Sequence, residues 1–164
     1  MTIRPATPED IPVIVELERQ TPELAHWSEQ AYKDIFEPGA PERLLLISES
    51  EGQLHGFLVT RFTSGDCELE NIVVAPENRR RGIAGQLLES LITRARARSV
   101  QKILLEVRES NAGARAFYGK VGFEETGRRK NYYNHPSENA VLYSLALVLV
   151  QKSHEEDLRN TNFC

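Results

Sequence analysis

The chain has 164 residues, a length that suits one domain with a single sizeable core, and its 40% hydrophobic and 27% charged content is that of a soluble globular protein. A formal net charge of -4 argues against general nucleic-acid binding, which needs a broad basic face to displace counterions. Cys67 and Cys164 stand far apart outside any metal or redox spacing, no apolar leader opens the chain, and the longest apolar run, Ala140 to Val150, is too short to span a bilayer. The expectation is a cytoplasmic protein with no disulfide and no membrane segment. His26, His55, His135 and His154 show no paired spacing, so no metal site is expected.

Ile3 to Ala6 reads as a short first strand, and Thr7 then caps a helix with Pro8 at its first position. Ile11, Ile14, Val15 and Leu17 form a helical stripe in this segment, which runs to about Gln20. Ser28 caps a second helix that passes Ala31, Ile35 and Phe36 and stops at Pro38-Gly39. Leu44 to Ser48 and Leu54 to Phe62 form a hairpin about Glu51-Gly52. In the following strand, Cys67 to Val74, apolar and acidic residues alternate as far as Glu70. Asn71-Ile72-Val73-Val74 then abandons the alternation, which a bulge or splay near Asn71 explains, as does burial of one strand end.

Val73 to Leu88 carries an apolar strand through a basic turn into an amphipathic helix, with Ile83, Leu87, Leu88, Leu91, Ile92 and Ala95 on one face. The first turn of that helix has free amides and the positive end of its dipole, a place suited to phosphate. Gly82, Ala84 and Gly85 allow close approach to the backbone, and Arg79, Arg80 and Arg81 add charge; a solvated helix start is the plainer reading of the turn alone. The helix ends near Ser99, with Arg94, Arg96 and Arg98 read as solvated. Lys102 to Val107 reads as a central strand. Asn111 caps a helix with Ala114, Phe117, Tyr118 and Val121 on one face, ended by Gly122. Phe123 to Lys130 reads as a strand, Tyr132 to Glu138 as a loop and Ala140 to Val150 as a final strand. Residues 1 to 150 make the domain, and 151 to 164 are a polar tail.

The block Arg79-Arg80-Arg81-Gly82-Ile83-Ala84 matches the pattern (Gln or Arg)-x-x-Gly-x-(Gly or Ala). Asn111 to Phe123 matches Asn-x-x-Ala-x-x-x-Tyr-x-x-x-Gly-Phe. With the order of elements, the two blocks resemble the GCN5-related N-acetyltransferase (GNAT) superfamily over about residues 1 to 149. Leu105 to Asn111 and Arg128 to Tyr133 are similar to its RimI-like branch, which acetylates the N-terminal alanine of a small-subunit ribosomal protein. His26-Trp27-Ser28 echoes that branch's Pro-Trp-Ser, with His26 in place of proline. The branch's acidic residue is Asn139 here, and its downstream methionine is replaced within Leu142-Tyr143. The resemblance implies an α/β (α+β) fold: a mixed, mostly antiparallel seven-stranded sheet splayed between its fourth and fifth strands and flanked by about four helices.

It also implies acetyl-CoA as co-substrate, and it assigns roles. Arg79, Arg80, Arg81, Gly82, Ile83, Ala84 and Gly85 would hold the pyrophosphate, and the backbone of Ile72, Val73 and Val74 would pair with the pantetheine arm. Asn111 would bond the cofactor from the other side, beside its capping role. Glu106 lies on a largely apolar strand where burial would raise its proton affinity for general-base work; an ordinary strand-end carboxylate is the plainer reading. Tyr118 would be the general acid, although its place on an apolar face equally suits a core tyrosine. Trp27, Tyr132 and Tyr133 would line the acceptor groove, with core packing an equal reading for Trp27. An α-amino group titrates near pH 8 and a lysine at about 10.4, so a modest base favours N-terminal amines. The expected partners are acetyl-CoA and a protein N-terminus or small amine, in a monomer or homodimer. A small-amine acetyltransferase and a non-catalytic CoA-binding sensor are the alternatives. A Rossmann reading fails because the third glycine of its fingerprint is missing.

Overall fold

The computed structural model describes residues 1–21 and 27–147. The expected tail, 151 to 164, and the end of the final strand lie outside the described residues.

Seven strands form one sheet in the order β1-β2-β3-β4-β5-β7-β6. They are β1 (Thr2–Pro5), β2 (Arg43–Ser50), β3 (Gln53–Phe62), β4 (Asp66–Val74), β5 (Lys102–Arg108), β6 (Glu124–Tyr133) and β7 (Glu138–Ala146). The helices are α1 (Ile11–Arg19), α2 (Glu29–Asp34), α3 (Ile83–Ala97) and α4 (Ala112–Val121). Only β4 and β5 run parallel; the other neighbours are antiparallel.

Each element begins where its local chemistry requires. Before α1, the Asp10 carboxylate accepts from the Thr7 amide at 2.8 Å while Arg4 clamps it at 2.8 Å, and Pro8–Asp10 forms a 3-10 turn. The Ser28 hydroxyl accepts from the Ala31 amide at 3.1 Å at the start of α2. The β2–β3 hairpin turns through Glu51 and Gly52, both at positive φ (52° and 75°), the conformation its two-residue loop needs. Gly122 closes α4 at φ 105°, a left-handed position that glycine adopts without strain.

The strands alternate between two cores. Leu45, Ile47, Phe57 and Val59 face α1 and α2, where Ile11, Ile14, Val15, Leu17 and Tyr32 are buried. Leu46, Leu58, Cys67, Leu69, Ile103 and Leu105 face α3 and α4, beneath Leu87, Leu88 and Leu91. In β4 the phase changes. Val59 pairs with Asn71 but Thr60 with Leu69, so Glu70 is an extra residue in the ladder. Upstream of it Cys67 and Leu69 lie under α3, whereas downstream Val73 joins the α1 side and Ile72 and Val74 pack on the α3 side. The expected irregularity near Asn71 is therefore a bulge one residue earlier, at Glu70.

The structure departs from the sequence reading at several points: Pro8 opens a 3-10 turn and the α-helix follows from Ile11, and the second helix ends at Asp34, short of Ile35 and Phe36. The segment Tyr132 to Glu138, expected as a loop, is strand at both ends, because β6 reaches Tyr133 and β7 starts at Glu138. Arg98, read as solvated, pairs with Glu42 and lies over the Phe62 ring at 4.2 Å.

Gly56 marks the closest packing of β3 on β4. A Cβ there would lie 2.7 Å from the Val73 carbonyl oxygen and 3.3 Å from the Ile83 methyl. Gly56→Ala is expected to cost about 1–3 kcal/mol by overpacking. Thermal unfolding should show this as a lowered Tm with far-ultraviolet circular dichroism unchanged.

Candidate functional site

The site arises where β4 and β5 part. Their parallel ladder holds only from Asp66↔Lys102 to Leu69↔Leu105. Beyond the bulge, β4 stays paired with β3 as far as Val74, while β5 stays paired with β7 as far as Arg108↔Ala140. A cavity of about 180 Å³ opens between them, with Ile72, Glu106, Asn111, Tyr118 and Tyr133 in its wall. Among the described residues, the edge of β4 from Glu70 to Val74 has no strand partner on the cavity side. Unpaired backbone at the wall of a cavity is a ready edge for an extended ligand. A larger depression of about 440 Å³ lies over Ile3, Gln86, Glu89, Ser90, Thr93 and Arg94 and shares no residue with the cavity between β4 and β5.

From Val74 the chain passes through a 3-10 turn, Pro76–Asn78, into the basic turn. Arg80 and Gly82 both have positive φ, 62° and 81°. Among the described residues, the amides from Arg80 to Gly85 meet no backbone acceptor; the first inward bond is Gln86 N–H to the Gly82 carbonyl at 3.0 Å. Arg79, Arg80 and Arg81 are exposed and belong to no ion pair among the described residues. Buried Asn78 supports the turn from below: its side chain bonds His55 Nδ1 at 2.9 Å, and Ser50 bonds the other ring nitrogen at 2.7 Å. Free amides, a left-handed nest and unpaired cations together make a site for a polyanion.

At the other end stand Glu106 and Tyr118. The Glu106 side chain is only 17% exposed, and Arg129 of β6 pairs with it at 3.0 Å. Burial was expected to govern Glu106, but an ion pair shares in its environment, and no pattern in the sequence links residues 106 and 129. The Tyr132 hydroxyl lies against the same carboxylate, which together with burial raises that phenol above its ordinary range. Tyr118 is 6% exposed, edge-on to Phe123 at 5.5 Å, and its burial pushes its pKa well up. Tyr133 is also pushed up, by burial first and then by Glu106, and Arg108 lies over its ring at 4.3 Å. Asn111 caps α4, its side-chain oxygen accepting from the Ala114 amide at 3.0 Å, and it borders the cavity as well.

The cavity thus gathers Ile72, Glu106, Asn111, Tyr118 and Tyr133, with Tyr132 beside Glu106. Val73 points away into the α1 core, and the turn from Arg79 to Gly85 lies at the far end of the open edge. Trp27 is outside the cavity wall. It packs on Tyr32 at 5.4 Å with Arg43 over it at 5.6 Å, and Arg43 reaches Glu70 of the bulge at 2.7 Å. Among the described residues, no group of three His, Cys, Asp or Glu could hold a metal, and no helix is long and apolar enough to cross a membrane.

A helix start with free amides, an open strand edge and a cavity walled by Glu106 and Tyr118 form an arrangement that suits acyl transfer from an extended carrier. The acetyltransferase (GNAT) family model matches residues 11–123, and the chain belongs to that family. It is 34% identical over 140 residues to the [ribosomal protein bS18]-alanine N-acetyltransferase of Salmonella typhimurium, covering 84% of this chain and 92% of the relative. The crystal structure of the ribosomal-protein-S18-alanine N-acetyltransferase from Escherichia coli superposes with a TM-score of 0.82 at 30% identity, covering 93% of this chain and 97% of that one. An aminoglycoside 6'-N-acetyltransferase complexed with coenzyme A shares the fold, with a TM-score of 0.77 at 18% identity over 90% of this chain and 98% of that one.

Burial of Tyr118 has a consequence for stability. Its pKa is raised above the ordinary 10.0 in the folded state, so as pH rises past that value the unfolded chain ionises first and stability falls. Below it the contribution is fully present. Thermal unfolding over about pH 9 to 11 should show Tm falling with pH, less steeply in Tyr118→Phe.

Proposed function

We propose that the enzyme transfers an acetyl group from acetyl-CoA to the N-terminal α-amino group of a protein, of the ribosomal-protein-alanine type, in the cytoplasm. The observation that carries this reading is the edge of β4 left without a strand partner among the described residues, which borders the cavity of Glu106 and Tyr118 at Glu70 to Ile72 and leads through Val74 toward the unpartnered amides of Arg80 to Gly85. The likeness to alanine N-acetyltransferases supports the acceptor class.

The donor set fits acetyl-CoA, which supplies an acyl group activated as a thioester. The turn from Arg79 to Gly85 binds the pyrophosphate through amides and guanidinium groups. The backbone of Ile72, Val73 and Val74 pairs with the extended arm as an added strand, and an amide of this edge donates to the oxygen on which charge develops. Asn111 borders the arm from the α4 side. Glu106 accepts the proton of the attacking amine, directly or through a water. Tyr118, kept protonated by burial, returns a proton to the departing sulfur. Tyr132 and Tyr133 flank the base from β6, and Trp27 contributes to the acceptor side from the start of α2.

The mechanism predicts that Glu106→Gln and Tyr118→Phe each lower kcat by about 10²-fold or more on a peptide beginning with alanine, with circular dichroism unchanged. Near wild-type rates in both would remove these roles. The acceptor is tested separately by comparing kcat/KM for alanine-terminated peptides and for small amines. Dominant turnover of a polyamine or amino sugar would shift the assignment to a small-molecule acetyltransferase. A rise in Tm with acetyl-CoA and no turnover of any acceptor would indicate a binding module.

A further inference from the structure

Glu18 is a carboxylate in the middle of a core. It lies on the buried stripe of α1 with Ile14, Val15 and Leu17, and is 1% exposed. Burying an ionisable side chain is costly unless its oxygens are satisfied, so its contacts identify what it serves. One oxygen accepts from the Asn71 side-chain amide at 2.7 Å, and the other accepts from the Trp27 backbone amide at 3.1 Å. The Tyr32 hydroxyl lies beside the same carboxylate. Among the described residues, one side chain therefore joins α1 to the residue after the bulge in β4 and to the residue before the N-cap of α2.

Both places border the chemistry. Asn71 reaches the α1 face only because the extra residue, Glu70, shifts the phase of β4, and its backbone belongs to the open edge that walls the cavity. Glu70 is pinned in turn by Arg43 at 2.7 Å and Arg61 at 3.5 Å, and Arg43 also covers the Trp27 ring. We propose that Glu18 is a positioning residue that ties the open edge of β4 to the start of α2, so that the thioester side and the acceptor side of the site are held as one unit. The roles of those two sides rest on the acetyl-transfer reading above.

The bridge depends on which partner donates. Asn71→Asp keeps the shape but sets two carboxylates against each other, whereas Glu18→Gln with Asn71→Asp restores one donor facing one acceptor and keeps an oxygen for the Trp27 amide. Glu18→Gln alone keeps the bridge once the Asn71 amide turns over. Two readouts apply, both taken well below Tm. The first is Trp27 emission during titration with coenzyme A alone, which is assignable because the chain has a single tryptophan. The second is kcat and KM on an alanine-terminated peptide.

In the wild type, coenzyme A is expected to change Trp27 emission. Asn71→Asp should abolish that response and lower kcat/KM at least about tenfold, a readable effect of displacing a site. The double variant and Glu18→Gln should recover both to within about threefold. If Asn71→Asp does not fold, Glu18→Ala against Glu18→Gln makes the same comparison from the other end. Variants that lower Tm while emission response, kcat and KM stay at wild-type values would overturn the proposal, as would a double variant that regains Tm but not the response. A wild type that turns over no peptide yet shows the emission response, lost and rescued as described, would retain the bridge and reject the acceptor assignment.

Discussion

One extra residue in β4 governs the architecture of the site. A strand pair with uniform pleat would carry β4 alongside β5 for its whole length and would place residues 71 and 73 on the same face as 67 and 69. The bulge at Glu70 does neither. It ends the ladder with β5 at Leu69↔Leu105 and exchanges the faces of every later side chain in β4. Backbone amides left without partners inside a protein are tolerated where water or a ligand can reach them. The cavity, the open edge and the continuation of that edge into the start of α3 are therefore linked consequences of one irregularity.

Charge pairing holds the two banks of this opening. On the β4 bank, Arg43 and Arg61 neutralise Glu70, and Arg61 also pairs with Glu68 at 2.6 Å. On the β5 bank, Arg108 pairs with Glu138 at 3.3 Å, and the same Glu138 accepts from the Ser110 amide ahead of α4. These side chains are partly exposed, and pairs of that kind add little to global stability. Their value is positional, since each fastens its bank to strands on its own side of the opening. The basic turn has the opposite character: its arginines find no acidic partner among the described residues, and their charge remains available.

Much of this was legible because local chemistry agreed with global structure. The hairpin turn, the caps at Ser28 and Asn111, the stop at Gly122 and the helical stripe after Gly82 each rest on residues within a few positions of one another. Disruption of β4 was legible too, as alternation that ceased, but its cause was not: an extra residue exists only relative to a partner strand. Glu18 could have been noticed, since it falls four residues after Ile14 and three after Val15 on the buried stripe. A carboxylate on such a stripe signals a buried partner, yet nothing local identifies Asn71 or Trp27. Arg129 beside Glu106 was hidden for the same reason, since β6 reaches the site only by lying beyond β7 in the sheet.

Asn139 is held by contacts that require an amide. Its side-chain amide donates to Glu109 at 2.9 Å, and its side-chain oxygen accepts from the Asn131 amide at 3.0 Å. A carboxylate at this position would accept from Asn131 equally well but would face Glu109 with a second negative charge. Only an amide can serve both neighbours at once. Arg128 also pairs with Glu109, so that carboxylate gathers β6 and β7 around the segment between β5 and α4. Asn139 and Glu109 are thus two halves of one arrangement, which ties the β6–β7 hairpin, the source of Arg129, Tyr132 and Tyr133, to the segment after β5.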